Sequence, residues 1–397
     1  MASGLHFERS IQAPVEQVYR MFTNGFAFRE WLCDQAIAEP RSGGRLYLGW
    51  ARGGYFADGN FSELEQNRAV EFTWRGRGDP GETQVRVVMS QQEGGTTDLV
   101  LFHEGFGEGE AWSRTCSEAE QGWETGLENL QAVLEKGPDL RIINRPMMGI
   151  FFGNFTPEAA ARLGAPVTQG VLIEGTVDGL GAQKAGLQRG DVMVAMNDTP
   201  ITLFDEVVAV MQDKRAGDRV SITYYRGSEK RTAEMELARR PLRDTPAGAA
   251  EFAEAMAEIY KNDWAAIEPI LAGATEEQAS RKPAPGEWSA KEIVAHLIDS
   301  ERLLQTNFLT YIFSSGELNI PDNSHEQVAA TVDAIGTLEA LVAELKRAQA
   351  ETLALVARLP EQLTARKSTF WLITFNALNY NGHGQEHAEQ LKAALQK

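Results

Sequence analysis

The chain has 397 residues, of which 43% are hydrophobic and 24% charged, and a formal net charge of −18. Its length exceeds one ordinary core and predicts two or three domains, and its composition is that of a soluble globular protein. The acidic balance excludes a general nucleic-acid binder, which needs a basic face to displace counterions from phosphates, and excludes adhesion to an acidic membrane surface on the same ground.

The first residues, MASGLHFERSIQ, lack the basic segment and apolar run of a signal peptide. No stretch approaches the roughly 20 apolar residues of a membrane helix. Cys33 and Cys116 are too few for a disulfide framework. A cytoplasmic location is the expectation from these features.

Residues 1 to about 137 read as strands with a helix at each end. GRLYLGWA, NFSELEQ, AVEFTWRG, TQVRVVMS and TDLVLFHEGF alternate or run apolar between turns such as Gly43-Gly44 and Gly94-Gly95. APVEQVYRMFT predicts a short helix, with Pro14 at a favoured first-turn position. SEAEQGWETGLENLQAVLEK predicts a long one, with Trp123, Leu127, Leu130 and Leu134 on one face. Trp50, Phe72, Trp74, Phe102 and Trp123, with Trp31, Tyr47, Tyr55 and Phe56, supply much aromatic area for a small sheet. They either line a cavity for an apolar ligand or fill a core. His103-Glu104 and Asp34 read as isolated structural polar groups.

After KGPDLRIINRP the pattern from about 146 to 240 is again strands and short helices, dense in glycine. A second polar connection, RRPLRDTPAGAA, leads into a nearly all-helical third. Helices are expected there over 248–271, 289–314, 331–359 and 371–396, the pattern of a four-helix bundle. The second opens with a capping box, Ser289 and Glu292, which places His296 well inside a helix. In the last, NGHGQEHAEQLK puts His383 and His387 four apart on one face. Such a pair is a helical metal motif or an exposed surface pair. Gly382 and Gly384 flank the first histidine, at about 1 kcal/mol each relative to alanine in a helix, so they predict a kink or a close approach there.

Three family resemblances rest on these segments. FERSIQAPVEQVYRMFTN and EQGWETGLENLQAVLE resemble the SRPBCC (START-like, helix-grip) superfamily, in the branch named for activators of the heat-shock protein 90 ATPase. That implies a curved sheet gripping the last helix around an apolar cavity. GVLIEGTVDGLGAQKAGLQRGDVMVAMNDTPI resembles an HtrA-like PDZ domain through Ala185-Gly186-Leu187, Gly190-Asp191 and the turn Asn197-Asp198, where the family usually has Asn-Gly. This resemblance implies a groove for a protein C-terminal peptide, held by the amides of Met148, Gly149 and Ile150 and lined by Val207, Val208 and Met211. The alternative is a PDZ fold used only for packing.

EWSAKEIVAHLIDSE with HGQEHAEQL resembles the DinB-like (DinB/YfiT) four-helix bundles. In that family one histidine of the second helix and two of the last bind a divalent metal. Those positions fall on His296, His383 and His387, and imidazoles suit zinc, nickel or iron. Asp299, Glu301 and Glu386 are then candidate carboxylates for orienting the imidazoles or taking a proton, Glu386 reading better as a solvated residue.

The expected architecture is a multidomain α+β protein. It comprises a helix-grip α+β domain over 1–137, a PDZ β-barrel-like domain over 146–240 and an all-α up-down four-helix bundle over 246–397. The expected function is a binding protein with an apolar-ligand cavity, a peptide groove and a metal site, acting without nucleic acid or membrane. The rival is a metal-dependent thiol S-transferase, which would use a low-molecular-weight thiol on electrophilic apolar compounds in detoxification or stress response. A co-chaperone role rests on the N-terminal resemblance alone.

Overall fold

The computed structural model describes residues 4–51, 54–153, 155–212, 214–284, 287–313, 325–379 and 382–396. Asn381 of the histidine segment and the part of the expected loop before His325 lie outside the described residues. Two compact units form: Met1–Asp139 with Arg243–Lys397, and Leu140–Leu242.

In the first unit the N-terminal segment runs β1 (Leu5–Ile11), α1 (Val15–Met21), α2 (Gly25–Trp31), β2 (Gln35–Ala38), β3 (Arg45–Trp50), β4 (Tyr55–Glu65), β5 (Ala69–Gly76), β6 (Thr83–Gln91), β7 (Thr97–Glu104) and α3 (Glu110–Glu135). The strands make a seven-stranded antiparallel sheet in the order β1-β7-β6-β5-β4-β3-β2. Period-two alternation turns Val85, Val87, Leu99 and Leu101 to the inner face. Against it α3 lays Trp123, Leu127, Leu130 and Leu134, the helical stripe read from the sequence, and all are buried in one core.

The second unit contains α4 (Leu140–Ile143), β8 (Pro146–Met147), β9 (Ile150–Gly153), α5 (Pro157–Leu163), β10 (Val171–Thr176), α6 (Gly181–Lys184), β11 (Val192–Met196), β12 (Thr199–Pro200), α7 (Phe204–Met211), β13 (Arg219–Arg226), β14 (Glu229–Glu236) and β15 (Ala238–Arg239). Its main sheet runs β14-β13-β11-β10-β9, so β9 is an edge. Asn197 takes a left-handed φ of 50° in the turn after β11 and accepts from the Ser221 amide at 3.0 Å. Asparagine tolerates that conformation, so the turn forms without the usual glycine at the next position. Asp191 is fully buried and holds Arg226 through both carboxylate oxygens, at 2.7 and 2.8 Å, while taking the Gln188 amide at 2.8 Å. The Gly-Asp pair of the motif is therefore a structural clamp.

The C-terminal segment of the first unit is α8 (Ala249–Leu271), α9 (Glu276–Ser280), α10 (Ala290–Phe313), α11 (His325–Ile335), α12 (Leu338–Val356), α13 (Glu361–Thr364), α14 (Lys367–Asn379), α15 (His383–Glu386) and α16 (Ala388–Leu395). Two of the expected helices are divided. The third separates at Gly336, whose φ of 89° suits glycine. The last becomes α14, α15 and α16, with Gly382 at φ 69° ahead of α15.

Polar contacts join the N- and C-terminal segments. Glu30 on α2, 3% exposed, accepts from the hydroxyls of Ser368 and Thr369 at 2.6 and 2.7 Å and is gripped by Arg20 at 3.2 Å. Its carboxylate thus sits at the start of α14, where helix amides favour negative charge. Lys367 Nζ reaches the Glu135 carbonyl at 2.8 Å, and the Phe26 and Tyr311 rings meet edge-on at 5.1 Å.

Replacing Glu30 leaves a half-buried arginine and two buried hydroxyls without their acceptor. Glu30→Ala is expected to cost about 3 kcal/mol and to separate the melting of the two segments. Calorimetry checks this, and an unchanged thermogram would show that the contact carries no coupling.

Candidate metal centre

His296 lies on the inner face of α10 and is 3% exposed. His383 opens α15, and His387 lies between α15 and α16. His383 Nε2 stands 3.1 Å from Nε2 of His296 and 3.1 Å from Nε2 of His387, and one donor atom from each of the three lies within 4.8 Å of the others. Two nitrogens on one zinc-sized ion lie about 2.8 to 3.4 Å apart, for bonds of about 2.0 to 2.1 Å at right or tetrahedral angles.

The ring protons support the same fit. His387 Nδ1 is 2.7 Å from Gln390 Oε1, which accepts, so the proton sits on Nδ1 and Nε2 presents a lone pair. A single proton on His383 Nε2 closes only one of its two short contacts. A cation between the rings would take a lone pair from each of the three. Trp288 covers this side, its ring 4.9 Å from that of His296 and its Nε1 donating to His325 Nδ1 at 3.1 Å.

The glycines beside His383 are explained by α8. A Cβ on Gly384 would come within 2.9 Å of the Asp263 Cβ and 3.1 Å of its Cγ, too close for a real side chain. The Gly384 amide instead donates to Asp263 Oδ2 at 3.3 Å. Gly384 therefore lets the turn carrying His383 rest directly on α8. Asp263 is 4% exposed and occupies the apolar stripe Phe252, Met256, Ile259, Asp263, Ile267, Leu271. Burial raises its pKa, opposed by the nearby amides of Gly384 and Gln385. A carboxylate in that stripe is a signal the sequence carries and the reading above missed.

Beside the trio lies a cavity of about 490 Å³, lined by His383, Gly384, Asp263, Ser300, Glu301 and Tyr260 among others. Glu301 accepts a short hydrogen bond from the Tyr260 hydroxyl, and burial raises the pKa of both groups. Asp299 turns elsewhere, toward Thr331 at 3.2 Å and Arg302 at 3.3 Å. Residues 299 and 301 stand about 200° apart on a helix, so they serve different surroundings. Glu386 is exposed, although it lines the cavity rim.

In the sheet domain, Phe72, Trp74 and Trp123 are buried, with Trp74 centred 5.5 Å from Trp123 and 6.5 Å from Phe72. Trp50, half-buried on the same face, stands 6.2 Å from Trp74. Phe102 lies on the opposite face, stacked on His6 at 5.0 Å. His103 is fully engaged: Trp123 Nε1 donates to its Nδ1 at 3.0 Å, and its Nε2 meets Thr83 Oγ1 at 2.7 Å. Burial lowers its pKa to about 4.

In the second unit, Gly149 has a φ of 75°, and Met148 and Val207 are buried in the core. Ile150 begins the edge strand, Met211 is half-buried and Val208 is 47% exposed. Phe152 on β9 meets Phe204 on α7 edge-on at 5.0 Å. These two rings mark the space between edge strand and helix, and the sequence reading missed them.

Comparison with known proteins accounts for all three segments. Residues 12–135 match the model "Activator of Hsp90 ATPase homolog 1-like protein", residues 146–237 match "PDZ domain" and residues 259–391 match "DinB superfamily". Three domain families follow one another along this chain. The middle domain is 31% identical over 108 residues to "Probable periplasmic serine protease do/HhoA-like" of Haemophilus influenzae, covering 27% of this chain and 22% of that protein. It is 30% identical over 102 residues to "Serine protease Do-like HtrA" of Lactococcus lactis, covering 24% and 25%. The chain thus spans about a quarter of the length of the curated relatives it matches.

Among solved structures, protein MLL2253 of Mesorhizobium loti shares 26% identity at a TM-score of 0.30, covering 33% of this chain and 96% of that one. The Aha1 dimer of Colwellia psychrerythraea shares 18% at 0.29, covering 34% and 96%. The expected cytoplasmic location is corrected by these relatives: the Haemophilus protein and DegP-like relatives are named periplasmic, which points outside the cytoplasm. Two free cysteines suit either compartment, so cysteine usage could not decide it. Among the described residues no helix is long and apolar enough to cross a membrane.

The buried neutral His103 has a consequence for stability. Its folded pKa lies below the ordinary 6.5, so the unfolded chain binds the extra proton as pH falls. Stability is retained above about pH 6.5 and lost toward pH 4, by about 3 kcal/mol at the limit. Urea midpoints across that range should fall less in His103→Gln than in the wild type.

Proposed function

We propose that the chain is a multidomain binding protein in which a divalent transition metal, held by His296, His383 and His387, is one of three ligand sites. The observation that carries this reading is the convergence of three imidazoles from segments 87 residues apart in sequence, with His383 Nε2 3.1 Å from Nε2 of each of the other two. A cation held there would act as a Lewis acid, lowering the pKa of a coordinated water or thiol. Around it the protein's own residues do the positioning. Gln390 holds the His387 ring by its Nδ1 proton, Asp263 seats the turn, and Trp288 shields the His296 side.

The second site is the groove of the middle domain. A protein C-terminal peptide would add to the edge of β9, its carboxylate toward the 148–150 loop and its side chains between Phe152, Phe204 and Val208. The relatives of this domain are proteases by name, but they match over this domain's length, and the reading takes only peptide capture from them. The third is a small apolar ligand between sheet and α3, near half-buried Trp50. One observation favours the thiol S-transferase as a second reading: the 490 Å³ cavity has His383 in its wall, so a compound there would lie beside the metal.

Metal content by mass spectrometry, on protein purified without a chelating tag, tests the first site. The expected result is about one transition metal per chain, lost in His296→Ala. Gly384→Ala, which drives the turn off α8 at a cost of roughly 1–3 kcal/mol, should lower occupancy without removing a ligand. No metal in the wild type after reconstitution would overturn the reading.

A labelled apolar C-terminal peptide should bind saturably and its amidated form at least tenfold more weakly. Equal binding of the two would remove the carboxylate loop from the account.

A further inference from the structure

The cavity beside the histidines has a polarity of its own. Its lining carries three carboxylates, Asp263, Glu301 and Glu386, and among the described residues no lysine or arginine. Glu301 is occupied by Tyr260, and Glu386 is exposed at the rim. Asp263 is different. Its Oδ2 takes the Gly384 amide at 3.3 Å, but among the described residues no donor satisfies Oδ1, although the residue is 4% exposed. Ser300 Oγ, in the same wall, also has no partner among the described residues.

A buried carboxylate oxygen without a donor is costly, and an occupant that donates to it removes that cost. Met256, Ile259, Leu297 and Leu304 make the rest of the wall apolar. The occupant that fits is therefore a donor-rich, positively charged head on an apolar body. An ammonium supplies three N–H donors and the opposite charge, whereas a carboxylate or phosphate head would meet like charge.

We propose that this cavity binds primary amines with an apolar body, the ammonium seated between Asp263 Oδ1 and Ser300 Oγ. The inference deepens the reading of the C-terminal domain as a ligand-binding module, but it does not need the metal. An ammonium has no lone pair for a cation, so it belongs to the carboxylate end of the cavity and leaves the imidazoles free.

The test is calorimetric titration of the full chain at pH 7.5 with 4-phenylbutylamine, 4-phenylbutanol and 4-phenylbutyrate, which share one body and differ in the head. The amine should bind one per chain and at least tenfold tighter than the alcohol or the acid. Asp263→Asn, which keeps a side-chain oxygen to accept the Gly384 amide, should weaken the amine at least tenfold while leaving the affinity for the alcohol unchanged. The selectivity of the wild type needs no variant, so a misfolded mutant leaves the test intact.

Acid binding as tight as amine, no binding of any probe, or an unchanged Kd in Asp263→Asn would overturn the inference. Amine selectivity in wild-type protein that holds no metal would support the cavity while removing the metal centre, so the two readings fail separately.

Discussion

The close approach of Gly384 to Asp263 is the contact on which the C-terminal site depends. A continuous last helix would also put His383 and His387 on one face, but it would not by itself bring them to α10. The chain instead breaks, Gly382 takes a left-handed turn, and the short α15 settles on the Asp263 side chain of α8 with none of its own in between. His383 Nε2 then stands 3.1 Å from Nε2 of both His296 and His387, and the His387 ring is centred 5.0 Å from that of His296. The same contact buries Asp263 at the edge of the cavity, so one constraint shapes both the histidine trio and the acidic wall beside it.

Much of this was legible in the sequence, for identifiable reasons. The stripe of Trp123, Leu127, Leu130 and Leu134 shows in its 3.6-residue spacing, and the inner face of the sheet in its alternation. The trio was legible because few histidines exist and three fall in motif positions. Asp263 was hidden for the opposite reason: aspartate is common on helix surfaces, and only its register within the α8 stripe marks it as buried. Phe102 was misjudged because composition counts aromatic rings without saying which face of a strand they occupy. The split of the last helix was signalled by two glycines, but which neighbour demanded them depends on tertiary packing.

Glu30 shows another limit. In FREWLCDQ nothing distinguishes it from a solvated helix residue, and its partners lie more than 330 residues away in Ser368 and Thr369. Buried carboxylates are stable only with such partners. The pairing therefore specifies one docked arrangement of the N- and C-terminal segments, which the residues between them do not determine.

That docking bears on function through α14. Its first turn supplies the hydroxyls that hold Glu30, and the chain leaving its other end carries His383 and His387. The sheet domain's anchor thus sits in the first turn of a thirteen-residue helix whose far end leads to the histidine turn. A helix is stiff over that length, and a packed interface is bistable rather than continuously deformable. A ligand that favours one seating of α2 against α14 would bias the position of the turn, and by linkage a metal on the histidines would bias the α2 seating equally. The sheet domain and the bundle thus share α14, whose first turn supplies the partners of Glu30 and whose far end leads to the histidines.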